Sequence, residues 1–161
     1  MKRDYILLLI IFIPTIILQL AVVPLVSFGA FSPDLLILLL VYFTLLKGQL
    51  FGTIAGAIVG LIFDLVSGNV LGITMFSKTI AGFVAGYFYN ENKIESNTSS
   101  ISFAIIVFIS AFVDSFFYGL FIDNQSLGFL YIIFEKSLFP AIYNTILALL
   151  LIIVLPKRSS L

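Results

Sequence analysis

The sequence predicts an all-α membrane protein, a bundle of six transmembrane helices, and three observations carry that prediction. Hydrophobic residues make up 61% of the 161 and charged residues only 10%, with a mean hydropathy of +1.24; a soluble domain has about 45–50% apolar and about 25% charged residues. The apolar runs are long enough for helices to cross a hydrocarbon core of about 30 Å, and the ten-residue alternating strands of a barrel are missing. Finally, the polar breaks between the runs carry basic residues at every second break only, as expected of a chain that crosses a membrane back and forth.

The first span is placed at about 5–27. Its start, "MKRDY" followed by an apolar run, has the look of a signal peptide with "SFGA" as a cleavage site. The run from Tyr5 to Val26 exceeds the roughly 7–15 residues of a signal core, so it reads as a retained span. Pro14 and Pro24 each remove a helix donor and should kink it. The second span, about 33–47, opens sharply at "SPD", where Ser32 can cap, Pro33 suits the first helical position and Asp34 favours the positive end of the dipole. Its length of roughly 22 Å is short for a span, so neighbours must enclose it or the bilayer must thin. Spans at about 49–66 and 70–89 follow, then the polar connection "NENKIESNTSS" at 90–100, spans at about 101–122 and 129–155, and a short basic tail. One integral membrane domain over 1–161 is expected.

Orientation follows from Lys2, Arg3, Lys47, Lys93, Lys157 and Arg158, which all fall at one set of alternating ends, whereas the stretches near 28–34, 67–70 and 123–128 have no lysine or arginine. Basic residues in short loops accumulate on the cytoplasmic side, which places both termini there. The chain has no cysteine and no histidine. This removes thiol and imidazole chemistry and most zinc, haem and copper sites; no cofactor, no metal and no nucleic-acid partner is expected.

Gly48, Gly52, Gly56 and Gly60 recur every four residues and Asp64 takes the next step. Steps of four trace one ridge of a helix, and glycine lets a second backbone approach where lipid gives no hydrophobic drive for association. The ridge is therefore a packing seam, toward a helix of this chain, a partner protein or a second copy in a homodimer. The fourth span repeats the theme with Gly82 and Gly86.

Five ionisable residues fall in the outer halves of four spans: Asp64, Lys78, Asp114, Glu135 and Lys136. Isolated charges at that depth are costly, so they should face inward and pair, or line a wet cavity. Lys78 is expected to be neutralised by a carboxylate from another span, with Asp64, Asp114 and Glu135 as candidates. A catalytic pair of Asp64 and Asp114, as in intramembrane aspartyl proteases, lacks the glycine-x-glycine-aspartate signature of those enzymes.

The run from Ser32 to Phe88 resembles the core of MreD, the small membrane subunit of the bacterial cell-elongation machinery. The resemblance rests on Pro33 and Asp34, on Lys47 and Gly48, on Gly52, Gly56 and Gly60, on Asp64 followed by Ser67 and Gly68, on Gly72, and on Gly82 with Gly86. It implies a non-enzymatic scaffold in the inner membrane that binds MreC, a single-span protein, and so links MreB filaments to peptidoglycan synthases. It also implies a fold similar to the six-helix substrate-binding subunit of energy-coupling-factor transporters. That similarity keeps a second reading open, a subunit that captures a vitamin or another micronutrient.

Overall fold

The computed structural model describes residues 2–26, 32–68, 70–122 and 128–154, and every regular element among them is helical. The elements are α1 (Lys2–Ala21), α2 (Val23–Val26), α3 (Leu35–Lys47), α4 (Gln49–Ser67), α5 (Ile73–Gly86), a 3₁₀ turn (Glu91–Lys93), α6 (Ile94–Ser99), α7 (Ile101–Ile122), α8 (Phe129–Tyr131), a π-helical stretch (Ile132–Leu138) and α9 (Phe139–Val154). α8, the π stretch and α9 run on without a break.

Three of these helical stretches are long and apolar enough to cross a membrane: Gln49–Ser67, Ile101–Ile122 and Ile132–Ile153. Three more are apolar but shorter: Ile10–Leu25, Leu35–Lys47 and Ile73–Gly86. At 1.5 Å per residue the 13 residues of α3 and the 14 of α5 reach only about 20 Å. α3 manages this length by being enclosed. Ile37, Leu40 and Val41 are fully buried, and Leu36 and Leu45 nearly so, which suits a helix that is apolar nearly all round. α5 instead keeps one face outward, with Phe76, Phe83 and Tyr87 exposed.

Successive helices run antiparallel. Phe12 of α1 lies beside Phe43 of α3, and Gln19, further along α1, reaches Pro33 and Leu35 at the other end. The bundle therefore has two ends. Asp34, the α4–α5 turn and the start of α8 lie at one; Lys47, the 3₁₀ turn and α6 lie at the other.

α3 and α4 are joined by the single residue Gly48, which ends one helix and starts the next at φ 97° and ψ 172°. That conformation is essentially restricted to glycine. Its N–H still donates to Thr44 O (2.8 Å) and its carbonyl accepts from Gly52 N–H (3.1 Å), so the reversal leaves neither backbone group unpaired.

Several boundaries differ from the sequence reading, each for a local reason. The helix after "SPD" begins at Leu35, with Asp34 rather than Ser32 as its cap, because Asp34 Oδ1 accepts from Leu36 N–H (2.9 Å) and Ile37 N–H (3.2 Å). The fourth helix starts at Ile73, not 70, because the chain is still turning at Gly72, φ 96°. The polar connection at 90–100 is not simply a loop: Asn90 Oδ1 accepts from Asn92 N–H (3.0 Å) and opens the 3₁₀ turn that leads into α6. Pro14 sits inside α1 without ending it. The helix breaks at Val22, two residues before Pro24, where the proline ring crowds the preceding turn. The basic tail with Lys157 and Arg158 lies outside the described residues.

Candidate functional site

The seam between α4 and α5 fixes the backbone from which the site is built. A Cβ at Gly56 would fall on the backbone carbonyl of Lys78, one at Gly60 within 2.6 Å of Met75 Cα, one at Gly82 on the carbonyl of Gly52, and one at Gly86 within 2.5 Å of Gln49 Cα. The two helices thus approach glycine to backbone along their whole contact. Gly52 also faces the Thr44 side chain of α3. The partner of the ridge is therefore α5 and α3 of this chain, and Gly48, the residue between the helices, acts as the joint.

Lys78 lies one turn before Gly82 on α5, at the edge of this seam, and its side chain runs toward α3 and α7. Its Nζ donates to Asp34 Oδ2 at the start of α3 and to Asp114 Oδ2 of α7 (3.0 Å). Lys78 is 2% exposed and Asp114 6%, so these two charges meet out of water, while the Asp34 carboxylate stays a quarter exposed at the edge of the cluster. Each charge has a reason to be there. Asp34 caps α3 through its other oxygen, and a carboxylate at a helix N-terminus is favoured by the dipole. The ammonium then sits between two carboxylates, a buried arrangement that is strongly destabilised if one partner is removed.

Two amides that sequence reasoning passed over complete the frame. Asn144 of α9 accepts from Asp34 N–H with Oδ1 (2.8 Å) and donates through Nδ2 to Pro140 O (3.0 Å). Gln19 of α1 donates to Pro33 O and accepts from Leu35 N–H, both at 2.9 Å. The start of α3 is thereby tied to α1, α5, α7 and α9. The available signal was the residue type itself, since an amide within an apolar membrane run must find a partner.

Of the candidate partners of Lys78, Asp114 pairs with it and Asp64 does not. Asp64 is 1% exposed, yet it faces the start of α5 rather than Lys78: Oδ2 accepts from Gly72 N–H (2.9 Å) and Met75 N–H (3.2 Å), and Oδ1 from Thr74 N–H (3.3 Å). The cap residue of α5 is Gly72, which has no side chain to offer. Asp64 supplies the missing acceptor from across the Ser67–Gly68 turn, and its charge opposes the positive end of α5. Glu135 is exposed, on the outside of the π-helical stretch; it does not join the cluster, because Lys136 beside it turns inward and neighbouring helical positions point roughly 100° apart. Lys136 is half-buried, against Gly119 of α7.

Beside the ion cluster lies a cavity of about 370 Å³, lined among others by Gln19, Asp34, Thr74, Lys78, Asp114, Tyr118, Lys136 and Asn144. Its walls come from α1, α3, α4, α5, α7, the π-helical stretch and α9. The π geometry is seen in Ser137 Oγ donating to Ile132 O (2.8 Å) and Phe139 N–H reaching Phe134 O, both five residues back. Such wide turns often mark functional positions. Among the described residues no group of three or more histidines, cysteines or acids could hold a metal ion.

Compared with models of protein families, residues 2–157 match that of the rod shape-determining protein MreD. The chain belongs to the MreD family. Neither comparison with curated proteins nor comparison with solved structures gives a match, so the likeness to the energy-coupling-factor subunit rests on the family resemblance alone. MreD membership puts a role in rod shape determination on this chain, in a family not known as enzymatic, and it agrees with the membrane setting that the apolar helices require. Among the residues that carry the resemblance, Gly48 joins α3 to α4, Asp34 caps α3 and pairs with Lys78, and Asp64 accepts from the backbone at Gly72, where α5 starts.

Proposed function

We propose that the chain is a non-enzymatic scaffold of the rod-shape complex, one integral membrane domain of six spans with both termini in the cytoplasm. It binds an MreC-like single-span protein and, through that partner, links MreB filaments to peptidoglycan synthases. The observation that supports a scaffold best is how the buried charges are used: Asp34 caps a helix and pairs with Lys78, Asp64 accepts three backbone N–H bonds, and Lys78 sits between two carboxylates. Their function is to hold helices in place. Lys47 and Lys93 lie at the same end of the bundle, consistent with a cytoplasmic face there.

Purification from native membranes, with identification of what co-purifies, tests the reading. An MreC-like protein is the expected partner; ATPase subunits of a transporter in its place would sink the scaffold and favour micronutrient capture. Tags at residue 95 and at both ends should be accessible only from the cytoplasm, and residue 125 should react with an impermeant reagent from outside. Protection of residue 125 removes the six-span topology.

A further inference from the structure

We propose that the cavity at the Asp34 end is a binding site for a small zwitterion with a primary ammonium group, which donates N–H bonds to Asp114 Oδ1 and Thr74 Oγ1. Asp114 Oδ2 accepts from Lys78, whereas Oδ1 is buried without a complete hydrogen bond, because the Ser77 hydroxyl beside the carboxylate donates to Thr74 O (3.2 Å) instead. Thr74 Oγ1 is likewise buried without a partner among the described residues. Both residues are more than nine-tenths buried and both line the cavity. Buried polar atoms nearly always have a partner, so two orphaned ones on one cavity wall point to a donor that comes from outside the chain.

Charge and shape narrow the class. Asp34 and Asp114 against the single Lys78 leave the inner wall one unit negative, which a monocation offsets. A divalent metal ion suits the wall poorly, because it needs about six or more oxygens and Lys78 already shares the Asp114 carboxylate. An ammonium makes three directional bonds, and Phe63 and Tyr118 supply aromatic walls beside it. Lys136 lines the cavity too, so the lining as a whole is balanced and a ligand with its own anionic group preserves that balance. At about 370 Å³ the cavity is at the small end of ligand sites, a size for an aminoethyl phosphate or a small amino acid. The same chemistry is offered by the headgroup of an aminophospholipid and by a free zwitterion. The proposal stands or falls independently of the scaffold reading.

The test uses the full chain in nanodiscs of phosphatidylglycerol mixed with either phosphatidylethanolamine or phosphatidylcholine. Ligand retention is read by native mass spectrometry and Tm by thermal unfolding, with and without free phosphoethanolamine. A primary ammonium can donate N–H bonds and a quaternary one cannot, so phosphatidylethanolamine should be retained on the order of tenfold better than phosphatidylcholine, or free phosphoethanolamine should raise Tm in the phosphatidylcholine discs. The first outcome assigns the site to lipid and the second to a soluble ligand. Asp114→Asn should remove the preference. Thr74→Val should weaken it roughly fivefold while the helix cap survives, because it is the Thr74 N–H that bonds Asp64. Equal retention of the two lipids with no response to phosphoethanolamine overturns the proposal, as does a preference that Thr74→Val leaves undiminished. The threonine variant decides the matter if Asp114→Asn does not fold.

Discussion

Two adjoining faces of α5 are held by different means. Toward α4 it offers glycine and backbone, with Gly82 against Gly52 and the Lys78 carbonyl against Gly56. Toward α3 and α7 it offers an ammonium between carboxylates, beside a cavity of about 370 Å³. The first face is close and made of the smallest residues; the second is polar and made of one lysine and two aspartates from elements far apart in the chain. In lipid, helices associate through close packing and interhelical hydrogen bonds, and this bundle assigns the two means to adjoining faces of one short helix. The division shows that the glycine seam is what aims the lysine: it sets where the α5 backbone lies, and the charges are placed from there.

The comparison can be broken most severely at the seam. Gly56→Leu drives a side chain into the Lys78 carbonyl, where no rotamer relieves the clash, and the expected outcome is little or no folded monodisperse protein after extraction. Ile58→Leu on the same helix should fold normally. Next comes Lys78→Met, which leaves two carboxylates facing each other and should cost about 3–5 kcal/mol in denaturant unfolding in detergent. Adding Asp114→Leu should recover part of that loss, because Asp34 keeps its two helix N–H donors. No loss from Lys78→Met alone would mean that the polar face does not hold α5.

Smaller effects sharpen the contrast. Asp64→Asn keeps an acceptor but removes the charge opposite the α5 N-terminus, and should cost about 1–2 kcal/mol by the same measurement. Gly72→Ala, at a φ of 96°, should cost about 1 kcal/mol from backbone strain even though a Cβ there meets nothing within 4 Å. Glu135→Gln should leave Tm unchanged; a clear drop would mean that the exposed carboxylate contributes to the bundle after all.

Much of this was legible in the chain, and the reasons for the rest are physical. The glycine spacing gave the seam because a period of four needs only a helix to become a ridge. The capacity of Asp34 for a helix terminus could be read from "SPD", but not its pairing with Lys78, 44 residues away. Asp64 is a candidate partner for Lys78 in the sequence because sequence shows side-chain charge. Its actual donors are three backbone N–H groups, which every residue but proline has and no sequence singles out. Glu135 and Lys136 share a depth in the membrane, which is all that position along a span reveals, and helical geometry turns them to different sides. The cavity is a property of how seven elements meet, and only the composition of its walls can be read beforehand.

The π-helical stretch Ile132–Leu138 affects residues well beyond its own turn. A wide turn takes up about one residue more than an α turn, and at 3.6 residues per turn that residue rotates everything after it by roughly 100°. Asn144 lies after this stretch, and its amide meets the N–H of Asp34 from there. The angular phase of the last helix is thus set by a local irregularity upstream of it. A one-residue deletion that converted Ile132–Leu138 to a regular helix would leave the composition of α9 untouched and turn Asn144 away from the start of α3.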